Sequence, residues 1–161
     1  MRPTDIVVSG GTARFQGRRL PCTIGRGGIS ARKAEGDGAT PKGTHRIVGM
    51  LYPPPPPPTW ALPIRPGDLW SDAPRDPDYN LMVRAPHGFG HERLRRADRL
   101  YDLVILTNWN WPYPVKGRGS AIFLHRWRRP GYPTEGCVAF RPDHLLWLAE
   151  QFGYETRVIV T

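Results

Sequence analysis

The chain has 161 residues, of which 39% are hydrophobic and 23% charged, a composition typical of one globular domain and unlike that of a disordered segment. Eighteen glycines and nineteen prolines disfavour a helix bundle and favour a turn-rich, mainly β protein. The net charge of +9 favours polyanionic partners such as nucleic acid, anionic lipid or an acidic cell-wall polymer.

Short runs of β-forming residues recur along the chain and are separated by turn residues. They predict strands at residues 5–9, 20–24, 44–51, 79–85, 101–108, 120–125, 137–140 and 156–160. Residues 141–153 predict a helix, because a proline lies in the first turn and a glycine follows the last one. A second short helix is predicted over residues 91–101.

Two stretches are predicted to be loops within a single domain spanning residues 1–161. Residues 52–58 contain six consecutive prolines, which favour a stiff polyproline II conformation. Residues 32–47 are rich in glycine and run into a strand, but they lack the Gly-Lys-Ser/Thr ending of a phosphate-binding loop. No apolar run is long enough to cross a bilayer, and no secretory signal is visible.

Metal binding is disfavoured by the sequence. His87 and His91 have the i, i+4 spacing of helical zinc ligands, but the stretch between them is rich in glycine and follows a proline, which disfavours a helix. We therefore expect no metal and no cofactor.

Cys137 is a candidate nucleophile. His125 ends one predicted strand and Cys137 begins the next, so neighbouring strands would bring the imidazole to the thiol, as cysteine–histidine catalysis requires. The backbone amides of Gly136 and Cys137 could stabilise an oxyanion. A buried core cysteine in a strand is the explanation of Cys137 that local sequence alone slightly favours, and Cys22 is interpreted as a small core residue.

Three arginines in the loop between the two strands are candidates for holding a substrate carboxylate: Arg126, Arg128 and Arg129. Ordinary surface solubility is the alternative explanation for this charge.

Three segments, in order, resemble the L,D-transpeptidase catalytic domain (YkuD) family. "EGDGATPKGTHRI" looks like its upstream D-G-x-T-P-x-G segment, "HRWRRPGYPTEGCVAF" resembles its His–loop–Ser/Thr-His-Gly-Cys signature, and "GHERLRRADRLYDLVILTNWN" is similar to a segment of one bacterial branch. Glu135 stands where the motif has histidine, and Ala139 stands where many members have asparagine or arginine. A branch with Thr-x-Gly-Cys is therefore the better match.

The resemblance implies an L,D-transpeptidase-like β-sandwich with one or two short helices and long Pro/Gly-rich loops. It implies that Cys137 is the nucleophile, His125 the general base, oriented by a backbone carbonyl, and Gly136 part of the oxyanion site. Thr134 matches the motif directly, and His91 lies in the branch segment; both become candidate substrate contacts.

The implied reaction is the cross-linking of peptidoglycan stem peptides, as donor and acceptor, through a cysteine thioester. The branch is associated with links from L-alanine, the first stem residue, to diaminopimelate. The resemblance further implies a role in cell wall biogenesis and cell shape, location in the periplasm or cell wall, no nucleic-acid partner and no membrane insertion. An L,D-carboxypeptidase or endopeptidase of the same fold is one alternative. A non-catalytic basic module that binds cell wall or nucleic acid is another.

Overall fold

The computed structural model of the protein describes residues 1–52 and 61–161, which contain fourteen strands and one α-helix. The elements are β1 Ile6–Ser9, β2 Thr12–Phe15, β3 Arg18–Thr23, β4 Ile29–Ser30, β5 Thr40–Pro41, β6 Gly43–Tyr52, β7 Leu62–Pro63, β8 Asp68–Ser71, β9 Met82–Arg84, β10 His91–Arg93, β11 Val104–Thr107, β12 Phe123–Arg126, β13 Val138–Phe140, α1 Pro142–Gln151 and β14 Arg157–Val160.

A two-sheet sandwich forms the body of the protein. Its strands follow the order β11-β12-β13-β3-β2-β1-β14-β6-β7, and β6 also pairs with β11. The long strand β6 joins the two sheets, because its first half pairs with β14 (His45 opposite Val158) and its second half pairs with β11 (Met50 opposite Ile105). The predicted mainly β sandwich is therefore confirmed, and each of the eight predicted strand segments overlaps a strand.

Two apolar clusters lie on opposite faces of β12, because successive side chains of a strand point to opposite sides. Leu124 faces the main core, which fills the sandwich and packs against α1. Phe123 faces a smaller cluster that includes Trp70 and Tyr101, and Cys137 packs at its edge.

The helix predicted near the carboxyl end is confirmed as α1, which starts at Pro142 and buries Leu145, Leu148 and Ala149. The second predicted helix is wrong, since residues 91–101 form strand β10 followed by turns. The backbone of β10 pairs with β8, with Glu92 opposite Trp70, and this ladder satisfies the groups that a helix would have bonded internally.

A separate three-stranded sheet, in the order β10-β8-β9, packs on the small cluster. Its Trp70 meets Phe123 edge to face, with ring centroids 4.9 Å apart. None of the helices in the described ranges is long and apolar enough to span a membrane. The predicted proline-rich loop starts at Tyr52, the last residue of β6, and the rest of it lies outside the described residues.

Candidate active site

His125 lies on β12, and Cys137 directly precedes the neighbouring strand β13; the sequence predicted that these two strands are adjacent. Strands β12 and β13 run parallel, with Leu124 opposite Val138 and His125 opposite Ala139. Continuing this register by one residue sets Cys137 beside Phe123. Residues that lie opposite each other on neighbouring strands share a face of the sheet, so Cys137 is on the same face as Phe123. Alternate residues of one strand also share a face, so His125 is on that face too. The thiol and the imidazole are therefore diagonal neighbours.

The Cys137 thiol is held by backbone groups of the segment that leads into β12. Its Sγ donates a hydrogen bond to the carbonyl oxygen of Ala121 at 3.0 Å and accepts one from the N–H of Phe123 at 3.4 Å. Within the described parts of the chain, His125 is not a hydrogen-bond partner of this sulfur. Burial raises the pKa of the Cys137 thiol to about 12, so the resting group is protonated.

His125 is fixed as a neutral imidazole, and its Nε2 has no hydrogen-bond partner among residues 1–52 and 61–161. Its Nδ1 lies 2.7 Å from the carbonyl oxygen of Arg126. Because a carbonyl can only accept, Nδ1 carries the hydrogen and Nε2 keeps its lone pair. Burial lowers the pKa of His125 to about 4, which keeps the ring uncharged near neutral pH. The ring edge packs against Tyr101 at a centroid distance of 5.3 Å.

The two charged groups that act on the thiol after burial have opposite signs. The Glu92 carboxylate raises the pKa of Cys137, whereas the Lys33 ammonium lowers it. Lys33 is itself nearly buried and is bonded at 2.5 Å to Asp37, so most of its charge is compensated locally.

The turn before Cys137 is shaped by Thr134 and Gly136. The Thr134 hydroxyl donates to the carbonyl oxygen of Cys137 at 2.6 Å and accepts from the N–H of Gly136 at 3.1 Å. Gly136 has a φ of 142°, and a Cβ there would lie 2.9 Å from the carbonyl oxygen of Ala39. Glycine is therefore required sterically. Its N–H already has a partner in this state, so a role for Gly136 in an oxyanion site stays a prediction.

Thr40 anchors this turn to the rest of the fold, a role that sequence reasoning missed. It is fully buried, and its hydroxyl accepts from the N–H of Gly25 and donates to the carbonyl oxygen of Gly136, both at 2.8 Å. The glycine at position 25 is needed as well, because a Cβ there would lie 2.1 Å from the carbonyl oxygen of Gly38. The signal in the sequence is the threonine of the "DGATP" segment, residues 37–41, which the family resemblance includes without giving it this role.

Asn80 supports the other side of the thiol and was also missed. Its buried side-chain oxygen accepts from the N–H of Ala121 and from the indole Nε1–H of Trp70, both at 2.9 Å. Its amide nitrogen donates to the carbonyl oxygens of Trp109 and Asn110 at 3.1 Å and 2.7 Å. Asn80 therefore fixes Ala121, whose carbonyl receives the Cys137 thiol, although no local sequence pattern marks it.

The three predicted substrate-binding arginines occupy different surroundings. Arg126 alternates with His125 on β12, so it points to the opposite face of the sheet, and its guanidinium lies 3.4 Å from Asp102. Arg128 and Arg129 are exposed and lie over the ring of Tyr132 at 5.6 Å and 4.9 Å. The structure therefore does not bring Arg126 to the Cys137 face.

His91 lies on β10, where its Nδ1 is 2.7 Å from the carbonyl oxygen of Phe89. Glu135, in the place of the motif histidine, is exposed and pairs with Arg26 at 2.8 Å. Both polar side chains therefore already have partners within the protein.

Cys22 is a core residue, as predicted. It is 5% exposed, belongs to the main apolar cluster and lies opposite Phe140 on the neighbouring strand. Burial raises the pKa of its thiol to about 12. Both cysteines are free. Over the described residues, no group of three or more His, Cys, Asp or Glu side chains is placed to hold a metal ion.

Comparison with known proteins identifies the family. The sequence model of the L,D-transpeptidase catalytic domain (YkuD) matches residues 4–160. No protein with a curated description matches the chain.

The chain is also similar to three solved structures, each at low identity. An L,D-transpeptidase from Mycobacterium smegmatis is 15% identical, with a TM-score of 0.46 over 98% of this chain and 58% of that one. L,D-transpeptidase 1 of Mycobacterium tuberculosis is 12% identical, with a TM-score of 0.45 over 97% and 60%. The helical cell shape determining protein Pgp2 from Campylobacter jejuni is 13% identical, with a TM-score of 0.48 over 97% and 46%.

This chain thus spans about half to three fifths of the length of those structures. The match covers residues 4–160 of the 161 residues of this chain. The chain belongs to the L,D-transpeptidase catalytic domain family.

Proposed function

We propose that the protein is a peptidoglycan L,D-transpeptidase in which Cys137 is the nucleophile and His125 the general base. The observation that carries this proposal is the placement of the thiol and the unprotonated imidazole nitrogen as diagonal neighbours on the face shared by β12 and β13. Membership of the family makes stem peptides of peptidoglycan the substrate class.

The first half-reaction would form a thioester. The Cys137 sulfur attacks a carbonyl carbon of the donor stem while its proton passes to Nε2 of His125. The tetrahedral intermediate collapses, its C–N bond breaks, and the leaving amine takes the proton from His125. The amide of Cys137, with that of Gly136 once it is released from Thr134, would stabilise the oxyanion.

The second half-reaction would transfer the acyl group to an amine of the acceptor stem and restore the thiol. We propose L-alanine at the first stem position as the donor residue and diaminopimelate as the acceptor, following the resemblance of residues 134–137 to the Thr-x-Gly-Cys branch. Arg128 and Arg129 are the proposed contacts for stem carboxylates, with Thr134 and His91 as further candidates; Arg126, on the opposite face of the sheet, is left out. Such cross-linking places the protein in the periplasm or cell wall, with a role in wall biogenesis and cell shape.

Incubation with purified muropeptides tests the proposal. Mass spectrometry of the products should show cross-linked dimers with the wild type and none with Cys137→Ala, which removes only the sulfur atom. Trimmed monomers without dimers would assign the protein as a hydrolase of the same fold. Salt-sensitive binding to peptidoglycan that persists in Cys137→Ala, with no product from either variant, would favour a binding module.

A further inference from the structure

Glu92 lies on the sheet that covers the face of Cys137 and His125. On β10 it pairs with Trp70 of β8, whose ring packs on Phe123 at 4.9 Å. The N–H of Phe123 is in turn the donor to the Cys137 sulfur. The Glu92 carboxylate near the nucleophile therefore belongs to the small sheet β10-β8-β9 and not to the sheet that contains β12 and β13.

A hydrogen bond and a ring contact connect Glu92 to the proposed base. The hydroxyl of Tyr101 donates to the Glu92 carboxylate. The ring of Tyr101 is buried and meets His125 at 5.3 Å and Phe123 at 6.3 Å. Glu92 is thus held in a defined orientation beside the reacting pair.

Glu92 has no ion-pair partner in the described part of the chain, although the protein carries a net charge of +9. Arg96, the cation that acts on Glu92, lies over the Tyr101 ring at 5.2 Å, but its guanidinium bonds Asp98 at 2.9 Å and 2.6 Å. The other charged groups that act on Glu92 are carboxylates, those of Asp72 and Glu35. Burial is the main cause that raises the pKa of Glu92, and the carboxylates of Asp72 and Glu35 raise it further. The hydrogen bond from Tyr101 and the charge of Arg96 act in the opposite direction.

We propose that Glu92 binds the ammonium group of the acceptor and takes its first proton, which selects amine over water as the group that resolves the thioester. This inference rests on the proposed function. The ammonium R–NH₃⁺ and the Glu92 carboxylate become R–NH₂ and a neutral carboxyl group. When the amine nitrogen attacks the thioester carbon, its second proton passes to Nε2 of His125 and then to the Cys137 sulfur as the C–S bond breaks. Glu92 returns its proton to solvent.

The different basicities of Glu92 and His125 explain why Glu92 takes the first proton of the ammonium group and His125 the second. An aliphatic ammonium has a pKa of ~10 and arrives charged near neutral pH. The imidazole of His125 has a pKa of about 4 and is a poor first acceptor for that proton. Glu92 is a half-buried carboxylate that attracts the cation, and because its pKa is raised while that of His125 is lowered, it is the stronger base of the two.

The test measures how the thioester is divided between amine and water. Glu92→Gln keeps an oxygen that accepts from Tyr101 and removes only the charge, while Glu150→Gln makes the same change at an exposed position of α1. Purified muropeptides serve as donor and acceptor. Intact-protein mass spectrometry follows acylation of Cys137, and product analysis gives the ratio of dimers to hydrolysed monomers.

We expect Glu92→Gln to become acylated at least as fast as the wild type, because it lacks the carboxylate that raises the pKa of the Cys137 thiol. Its dimer-to-monomer ratio should fall about tenfold or more, and Glu150→Gln should match the wild type. An unchanged ratio in Glu92→Gln overturns the inference and leaves the proposed function standing. A wild type that forms no thioester, or forms one that only water resolves, overturns both.

Two further variants separate charge from positioning. Glu92→Asp retains the carboxylate and should keep a ratio above that of Glu92→Gln; equal ratios would show that the charge is not the determinant. Tyr101→Phe keeps the charge but removes the bond that lowers the Glu92 pKa, so the pH below which transfer fails should move upward. A purely structural role for Glu92 predicts no such shift.

Discussion

Replacement of Thr40 by valine tests how the cysteine turn is held. Valine has nearly the same shape as threonine but lacks the hydroxyl that joins Gly25 to Gly136. The N–H of Gly25 and the carbonyl oxygen of Gly136 are both buried, and each would lose this partner. An unsatisfied buried polar group costs about 1–3 kcal/mol, so the free energy of unfolding should fall by about 2–6 kcal/mol.

Equilibrium unfolding in urea measures this loss. With an m-value of about 2 kcal/mol/M, the midpoint should fall by about 1–3 M. Thr40→Ser keeps the hydroxyl and should lose about 1 kcal/mol through the missing methyl group. Thr44→Val makes the same chemical change on an exposed position of β6 and should alter stability by less than about 0.5 kcal/mol.

Thr40→Val should also slow acylation of Cys137 under conditions in which the variant is fully folded, because the Gly136 carbonyl is no longer tied to the sandwich. A Thr40→Val protein as stable as Thr44→Val would refute the bridging role of the hydroxyl. Normal stability loss with an unchanged acylation rate would show that the bridge stabilises the fold without positioning the nucleophile.

Three further predictions concern the reacting pair and the basic loop. Cys137→Ala should abolish turnover with the fold retained, while Cys22→Ser should keep turnover, both followed by muropeptide product analysis and circular dichroism. The pKa of His125 is about 4 in the folded protein and about 6.5 in the unfolded chain, so the unfolded chain binds more protons between these pH values. The free energy of unfolding should therefore fall by about 3 kcal/mol from pH 6.5 to pH 4. Urea titrations of His125→Gln should lack this part of the fall. At least one of the variants Arg128→Gln and Arg129→Gln should have a kcat/KM about tenfold lower than the wild type, because it loses one charge-assisted hydrogen bond to the substrate. If both variants have the kinetics of the wild type, the two charges serve solubility.

The features that sequence could predict depend on neighbouring residues. Short runs of β-forming residues marked β1, β11 and β14, and Pro142 with Gly153 marked the limits of α1. The adjacency of β12 and β13 followed from interpreting His125 and Cys137 as a reacting pair. Each of these signals lies within a dozen residues, a distance over which propensity and chemistry can be read from the chain.

The features that sequence could not predict depend on contacts between distant segments. Thr40 bonds Gly136 across 96 residues, and Asn80 bonds Ala121 across 41. The stretch 91–101 has residues that suit a helix, but the ladder with β8 decided its structure. Tertiary pairing of this kind overrides local propensity, and no pattern within a single segment reports it.

Cys137 and His125 are both uncharged in the resting protein, because burial disfavours the charged form of each side chain. Burial raises the pKa of the Cys137 thiol and lowers that of the His125 imidazole, so a thiolate–imidazolium pair is disfavoured in the unliganded protein. In the proposed mechanism the proton must therefore move during attack on the substrate, when the developing oxyanion shares the charge, and not beforehand. The thiol now donates to Ala121, so the sulfur must leave that carbonyl to reach the imidazole. A small alkylating reagent forms no oxyanion, so it should react slowly with Cys137 near neutral pH. A muropeptide donor should acylate Cys137 readily at the same pH. Rapid alkylation at neutral pH would contradict the neutral resting pair.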